Sequence, residues 1–477
     1  MKKNKALFDI LREIAGKESC SFHMPGHKRN FHLGSHISHL YKSRVADFDY
    51  TEIPGLDDLH WPKGSIKKAQ ALTARCFGAR NSFFLINGCS AGIKASIMAC
   101  CREDSKVLVP RNAHRSIFEG LILSGSHPLY YFPSFHEGST IPMGPDIESV
   151  RELLKGGDLS ALIIIHPNYH GVGADLDLIR ESHKWGIPVI VDEAHGSHFS
   201  FDGRLPLSSL EVGADVVIHG THKTLGSLTQ TGLLHMGTNR IGVGEIQRSL
   251  SMQQTTSPSY ILMASLDAMR CDLETMGSRL IGKAVDLAID LRKEIGEIDG
   301  FSCIDFTHNY DMTKILITSD HLSGYQLSSI LRREYGIYPE LEEDGFVLLM
   351  ITLGDTEKSA DALIHALRAI SRKGHGAADA GKPRITTEPS VFKELPRMEL
   401  RPREVLNYPM REIPLSESRG KLSGSMIVPY PPGIPLIYPG EVISSNFIEY
   451  IDLLNGTGHH IQGLKEEDQP MITVLEC

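Results

Sequence analysis

Three things are missing from this 477-residue chain: an apolar run long enough to cross a bilayer, a block of Lys and Arg, and cysteines paired at a metal-binding spacing. The first absence argues against a membrane-spanning helix. The second, with a net charge of -9, argues against a nucleic-acid binder. The eight cysteines (Cys20, Cys76, Cys89, Cys100, Cys101, Cys271, Cys303 and Cys477) fit a reducing cytoplasm, and the adjacent Cys100 and Cys101 read as core packing. The basic start from Met1 to Lys5 runs into Asp9 and Arg12 without an apolar centre, so no signal peptide is expected and the location is expected to be cytoplasmic. What remains, 41% hydrophobic and 22% charged, is the make-up of an ordinary soluble enzyme of more than one domain. Its acid excess mildly favours small cationic ligands.

From residue 80 onward short apolar runs alternate with polar turns and helical patterns. Ser82 to Ile86, Lys106 to Val109, Ala161 to Ile165, Val189 to Val191 and Ala214 to Ile218 read as strands of a mostly parallel sheet covered on both faces. In such sheets the carboxyl ends of the strands form the ligand crevice. The expected division is an N-terminal arm and active-site segment (1–60), a large ligand-binding α/β domain (61–274), a small α/β domain (275–371), a flexible linker (372–389) and a C-terminal domain (390–477). In the tail, prolines between 428 and 441 exclude a central strand or helix and point to a rigid loop.

Two strand ends carry unusual charge: Val189-Ile-Val-Asp-Glu-Ala-His195 and Val216-Val-Ile-His-Gly-Thr-His-Lys223. A lysine at a strand end is ordinarily a solvated surface group, and a buried Asp–Lys ion pair is a competing reading. Asp192 and Lys223 on neighbouring strand ends would, however, lie within one ligand's width. A pyridinium nitrogen needs a carboxylate to stay protonated, and an aldehyde needs a desolvated amine; together these describe pyridoxal 5'-phosphate. Its phosphate needs donors at a strand-to-helix turn, and Asn87-Gly-Cys-Ser-Ala-Gly92 supplies one, with Ser90 as expected N-cap and glycines for close approach. Thr221 and His222 are additional candidate donors.

His114, after another strand end, either stacks on the cofactor ring or is an exposed helix-start histidine. His195 is expected to orient Asp192. A zinc site at His195, His198, His219 and His222 fails the spacing test, so no metal is expected.

Taken together, these strings resemble the pyridoxal-phosphate-dependent ornithine/lysine/arginine decarboxylases, in a compact form without the amino-terminal wing domain. The resemblance rests on Phe22-His-Met-Pro-Gly-His-Lys28, Asp49 to His60, Asn87 to Gly92, Arg111 to His114, Asp192 to His198, His222-Lys-Thr-Leu225, Thr256 to Tyr260 and Pro429 to Pro435. It implies an aminotransferase-like type I fold and loss of the α-carboxylate from a basic amino acid, with arginine the expected substrate and lysine or ornithine the alternatives. An aminotransferase, another lyase of the same cofactor, or a non-catalytic partner subunit are the rival readings. By resemblance, Lys223 is the Schiff-base lysine, Asp192 the pyridinium partner, His114 the stacking residue, and Ser90, Ala91 and His222 are phosphate contacts, with His195 beside the cofactor; Gly92 and Thr221 complete the expected cofactor-binding set. His23, His27, His170 and Glu441 are the residues expected toward the substrate, Glu441 as the acid reaching its far cationic end; acids in the 47–58 segment are alternatives. The chain departs from the family pattern at Ala113 and Arg115, at Asn168 and His170, and at Gly220 and Thr221. A homodimer is the smallest assembly this fold implies.

Overall fold

The apolar runs do assemble into one sheet. The computed structural model describes residues 19–476 except 31–32, 137–138, 140, 307–308, 374–394, 431–434, 457–459 and 467–468, together with 7, 11, 14–15 and 17. Seven strands lie in the order Asn81–Leu85, Gly232–Met236, Val216–His219, Val189–Asp192, Leu159–Ile165, Lys106–Pro110, His127–Tyr131. All run the same way except Gly232–Met236, which is antiparallel to both neighbours.

The two-residue period of a strand explains how the sheet is buried. Leu108, Leu162, Ile164, Val189, Val191 and Val217 join the core on one face. Their sequence neighbours Val107, Val109, Ala161, Ile163, Ile190, Val216 and Ile218 join the core on the other. Because both faces are covered, these strands read as unbroken apolar runs, which is why they were legible. The strands Gly232–Met236 and His127–Tyr131 were not among those expected.

The helix after the first strand spans Gly88–Cys100, so Ser90 lies inside its first turn and Asn87 is the N-cap, without a side-chain capping bond. This corrects the expected role of Ser90. Gly88 adopts a left-handed backbone (φ 74°) and donates its N–H to the Gln230 carbonyl at 2.9 Å, which starts the helix two residues early.

A helix of 37 residues, Tyr260–Gly296, then passes without a break across the boundary expected at 274. Its buried face begins with Met263, Leu266 and Leu273 in the large core and ends with Ala288, Leu291 and Ile295 in a second core. That second core lies under an antiparallel sheet of Phe301–Cys303, Lys314–Ser319, Val347–Met350 and Leu341–Glu342. The N-terminal segment reaches it too: Cys20–Phe22 runs parallel to Ile337–Pro339.

The tail has a core of its own around Ile413, Ile437, Phe447 and Ile472. Val428–Tyr430 is a short strand paired only with His460–Gln462, an edge position where Pro429 costs no ladder bond. The helix candidate from Lys5 to Ile14, residues 374–389 of the linker and residues 431–434 fall mostly or wholly outside the described residues. No helix among the described residues is long and apolar enough to cross a membrane. No group of His, Cys, Asp and Glu among them could hold a metal ion.

Candidate active site

Asp192 ends its strand and Lys223 lies one short helical turn (Thr221–Thr224) beyond the end of the next. The Asp192 carboxylate is buried, and its Oδ1 accepts the Ala194 N–H at 3.2 Å. Its Oδ2 has no hydrogen-bond partner among the described residues and keeps some contact with solvent, so it is open to a donor. Lys223 Nζ meets His195 Nε2 at 2.9 Å. His195 therefore serves the lysine in this chain, not Asp192 as expected. Burial, with Lys223 and Lys314 beside it, holds this imidazole well below its ordinary pKa, so it is neutral.

His114 caps the helix Arg115–Ser124, with Nδ1 accepting the Ser116 N–H. The ring is open to solvent yet lies deep enough for desolvation to lower its pKa, with Asp192 opposing and Lys223 reinforcing that effect.

The turn at 88–92 divides its labour. Ser90 is half-buried in the first helical turn, where N–H groups lack helical acceptors. Ala91 is buried. A Cβ on Gly92 would lie 2.6 Å from Leu85 Cδ1, so its bare Cα lets the helix pack closely against the strand. Thr221 is fully buried, and its hydroxyl accepts from Ser227 and meets Thr231. His222 Nδ1 donates to the Thr231 carbonyl at 2.6 Å, leaving Nε2 as its remaining polar atom.

Four expected substrate residues are placed differently from one another. The His23–Lys28 stretch is wedged between the lysine turn and the small sheet: the Gly26 N–H donates to the His222 carbonyl, and Thr352 Oγ1 donates to the Gly26 carbonyl. A Cβ on Gly26 would lie 2.6 Å from the Leu225 carbonyl oxygen. His23 Nδ1 bonds the Met24 carbonyl, and His27 Nδ1 accepts the Arg29 N–H, with its ring 5.3 Å from Tyr41. His170 is buried against Glu343 and Phe346, away from the role expected of it; its neighbour Tyr169 is the residue that faces the site, 4.9 Å from the His195 ring. Glu441 is fully buried, with both carboxylate oxygens bound by Arg111 at 2.5 and 2.7 Å, and therefore has no oxygen free for a substrate cation. Asp57, one of the alternative acids, accepts backbone N–H groups from Lys63, Gly64, Ile66 and Lys67.

Sequence reasoning missed Lys28, Lys314 and Glu340. Lys28 is buried, its ammonium donating to the carbonyls of His23 and Met350 and lying 3.8 Å from Asp355. Glu340 accepts from the Met24 N–H and the Tyr169 hydroxyl. Lys314, the first residue of a strand, reaches His195 Nδ1 at 3.2 Å. A lysine at a strand start looks like ordinary surface, so nothing in the pattern marked it.

The donor set fits pyridoxal phosphate: a carboxylate oxygen without a donor, an amine on the adjoining strand end, and open first-turn amides near Ser90. The fold is that of the type I pyridoxal-phosphate enzymes. It overlays a lysine decarboxylase of Francisella novicida with a TM-score of 0.76 at 19% identity, covering 98% of this chain and 80% of that one. The chain belongs to the ornithine/lysine/arginine decarboxylases: the family's major domain matches residues 5–321 and its C-terminal domain residues 386–473. Among similar proteins, an arginine decarboxylase of Bacillus anthracis is 37% identical, covering 98% of this chain and 97% of that one. One of Bacillus subtilis is 35% identical over the same shares. A lysine decarboxylase of Pseudomonas aeruginosa is 25% identical, covering 97% of this chain and 78% of its own.

Proposed function

We propose that this decarboxylase converts arginine to agmatine and carbon dioxide, with Lys223 and Asp192 at its centre. The observation that carries the reading is the placement of Asp192, with its open Oδ2, beside Lys223, whose amine is held by a neutral imidazole. Arginine is favoured over lysine and ornithine by the likeness to arginine decarboxylases along nearly the whole of both chains. Pyridoxal phosphate supplies the ring that takes up the electrons left when the carboxylate departs. Asp192 would hold the ring nitrogen protonated, the first turn at Ser90 with His222 would bind the phosphate, and Lys223 would bind the aldehyde. His114 would cover the ring and fix its orientation.

Each turnover replaces a carboxylate by a proton at Cα. Lys223 is the group suited to deliver it, because its amine is already held by His195. The working assembly is a homodimer in the cytoplasm; free thiols at every described cysteine and exposed apolar side chains between Val45 and Trp61 support this.

Carbon dioxide release from arginine, lysine and ornithine tests the substrate, with arginine expected to be fastest; equal rates defeat the assignment. Lys223→Ala is expected to abolish both turnover and the absorbance band of protein-bound cofactor. Retention of both would remove Lys223 from the centre.

A further inference from the structure

Ladder pairing between the strands that lead to Asp192 and Lys223 ends where Asp192 faces Ile218, and Lys223 lies beyond it. Past the ladder, the Glu193 N–H donates to the Ile218 carbonyl at 3.0 Å and the Gly220 N–H to the Ala194 carbonyl at 3.2 Å. The two segments touch closely there, since a Cβ on Gly220 would lie 2.5 Å from the Ala194 oxygen. A side-chain bond crosses at the same joint. His219 Nε2 meets Glu193 Oε1 at 3.0 Å.

Glu193 follows Asp192 and is fully buried, a costly position for a carboxylate. Oε1 accepts the Ser208 hydroxyl at 2.8 Å as well as His219, while Oε2 accepts the Ser209 N–H at 2.8 Å and the Ser209 hydroxyl. Those donors fill the acceptor capacity of one carboxylate. Burial opposes its charge, but His219, His166 and Ser209 outweigh burial and lower its pKa. An ionised carboxylate can only accept, so His219 carries a proton on Nε2.

His219 ends its strand and is buried, with its ring 5.5 Å from Phe77 and 4.7 Å from His235. Its Nδ1 has no hydrogen-bond partner among the described residues, so Glu193 is the polar group that holds this ring. The next residue is Gly220, whose carbonyl accepts the Lys223 N–H at 2.8 Å. The Glu193–His219 bond thus stands one residue from Asp192 on one side and one hydrogen bond beyond Gly220 from Lys223 on the other. A buried charged pair of this kind adds little stability over an apolar pair of similar volume. What it supplies is geometry, because so many directed bonds to one carboxylate admit one position.

We propose that Glu193 and His219 are positioning residues, whose bond fixes the separation of Asp192 from Lys223 that pyridoxal phosphate requires. A rigid ring held at its nitrogen and at its aldehyde is sensitive to that separation. Both residues act through the backbone they adjoin. The inference rests on the reading of Asp192 and Lys223 as the groups that hold the cofactor.

The test loads cofactor-free wild type, His219→Gln and His219→Asn with pyridoxal phosphate. Both replacements are amides: glutamine places an N–H where Nε2 lies, and asparagine, one methylene shorter, falls short of Glu193. Asparagine should weaken cofactor binding about tenfold. It should also raise, by about half a unit or more, the pH at which the absorbance band of bound cofactor changes. A ring nitrogen held less firmly protonated puts less positive charge near the Lys223 linkage. Glutamine should restore both, and a general loss of stability would leave the band's titration where it is. Wild-type affinity or titration in a folded asparagine variant would overturn the inference, as would a glutamine variant equally impaired. Should either variant fail to fold, the wild type decides. By reciprocity, loading must favour the bond as the bond favours loading, so exchange of the His219 Nε2 proton with water, followed by NMR, should slow about tenfold. An unchanged rate overturns it. Lys223→Ala that keeps the band of protein-bound cofactor would fail the underlying reading instead.

Discussion

At the scale of single residues, the largest departure from the sequence reading is Glu441. Its motif suggested an acid for the substrate, but Arg111 claims it in a bidentate pair and donates a further bond to the Leu436 carbonyl. The guanidinium lies 4.6 Å from the Tyr438 ring and 4.9 Å from that of Tyr130, the two rings being nearly parallel. This pair joins the tail to the strand end that leads to His114. Removing one member leaves a buried, unpaired charge, which costs about 3–5 kcal/mol. Glu441→Ala should therefore lower unfolding free energy by that amount in urea titration, and Arg111→Met added to it should recover a large part. A stable Glu441→Ala protein with weakened substrate binding would restore the substrate role. Asp192 and Lys223 were legible because charge at the end of an apolar run is rare. Glu441 and His170 misled because sequence shows that a polar group is present, not which partner claims it.

At the scale of elements, the strands of the large sheet were legible because both faces are covered. Helix starts were less so. Helix Ser65–Phe77 has Gly64 as N-cap, with no side-chain capping bond from that position. Its first-turn N–H groups are instead bound by Asp57, whose Oδ2 accepts from Gly64, Ile66 and Lys67 at 2.8 to 3.2 Å. A cap supplied from so far upstream leaves no local signature. Burial works against the ionised Asp57 carboxylate, but the backbone N–H groups outweigh it and lower its pKa. A depressed carboxylate contributes stability above its unfolded value of 3.8, and that contribution is lost as pH falls through the folded value. Asp57→Ala should cost about 1–2 kcal/mol at pH 7 by urea unfolding. The difference from wild type should shrink below about pH 4; a constant difference would show that the carboxylate's charge is not what caps the helix.

At the scale of the whole molecule, the segment ahead of that helix raises the question of assembly. Val45, Tyr50, Ile53, Leu56 and Trp61 are all exposed, Trp61 by 68%, although the same chain buries nearly every large apolar residue of its strands. A soluble monomer rarely gathers so many large apolar side chains into one stretch of surface. A second copy of the chain would cover them, and a stable two-fold interface of about 1,600 Å² would need a surface of this kind. Asp49 and Glu52 lie in the same stretch and are exposed, so pairing would also bring carboxylates to the boundary between subunits. That matters for the substrate, because neither Glu441 nor Asp57 has a carboxylate free to meet a guanidinium. Light scattering with pyridoxal phosphate present is expected to give twice the 52.7 kDa chain mass. Ile53→Asp with Trp61→Asp should halve it, while leaving the far-ultraviolet circular dichroism of the fold in place. If the acids of this segment serve the neighbouring subunit, the monomeric variant should lose its preference for arginine along with its partner. A wild-type mass of one chain would overturn the dimer, and a monomeric variant with full arginine activity would separate assembly from catalysis.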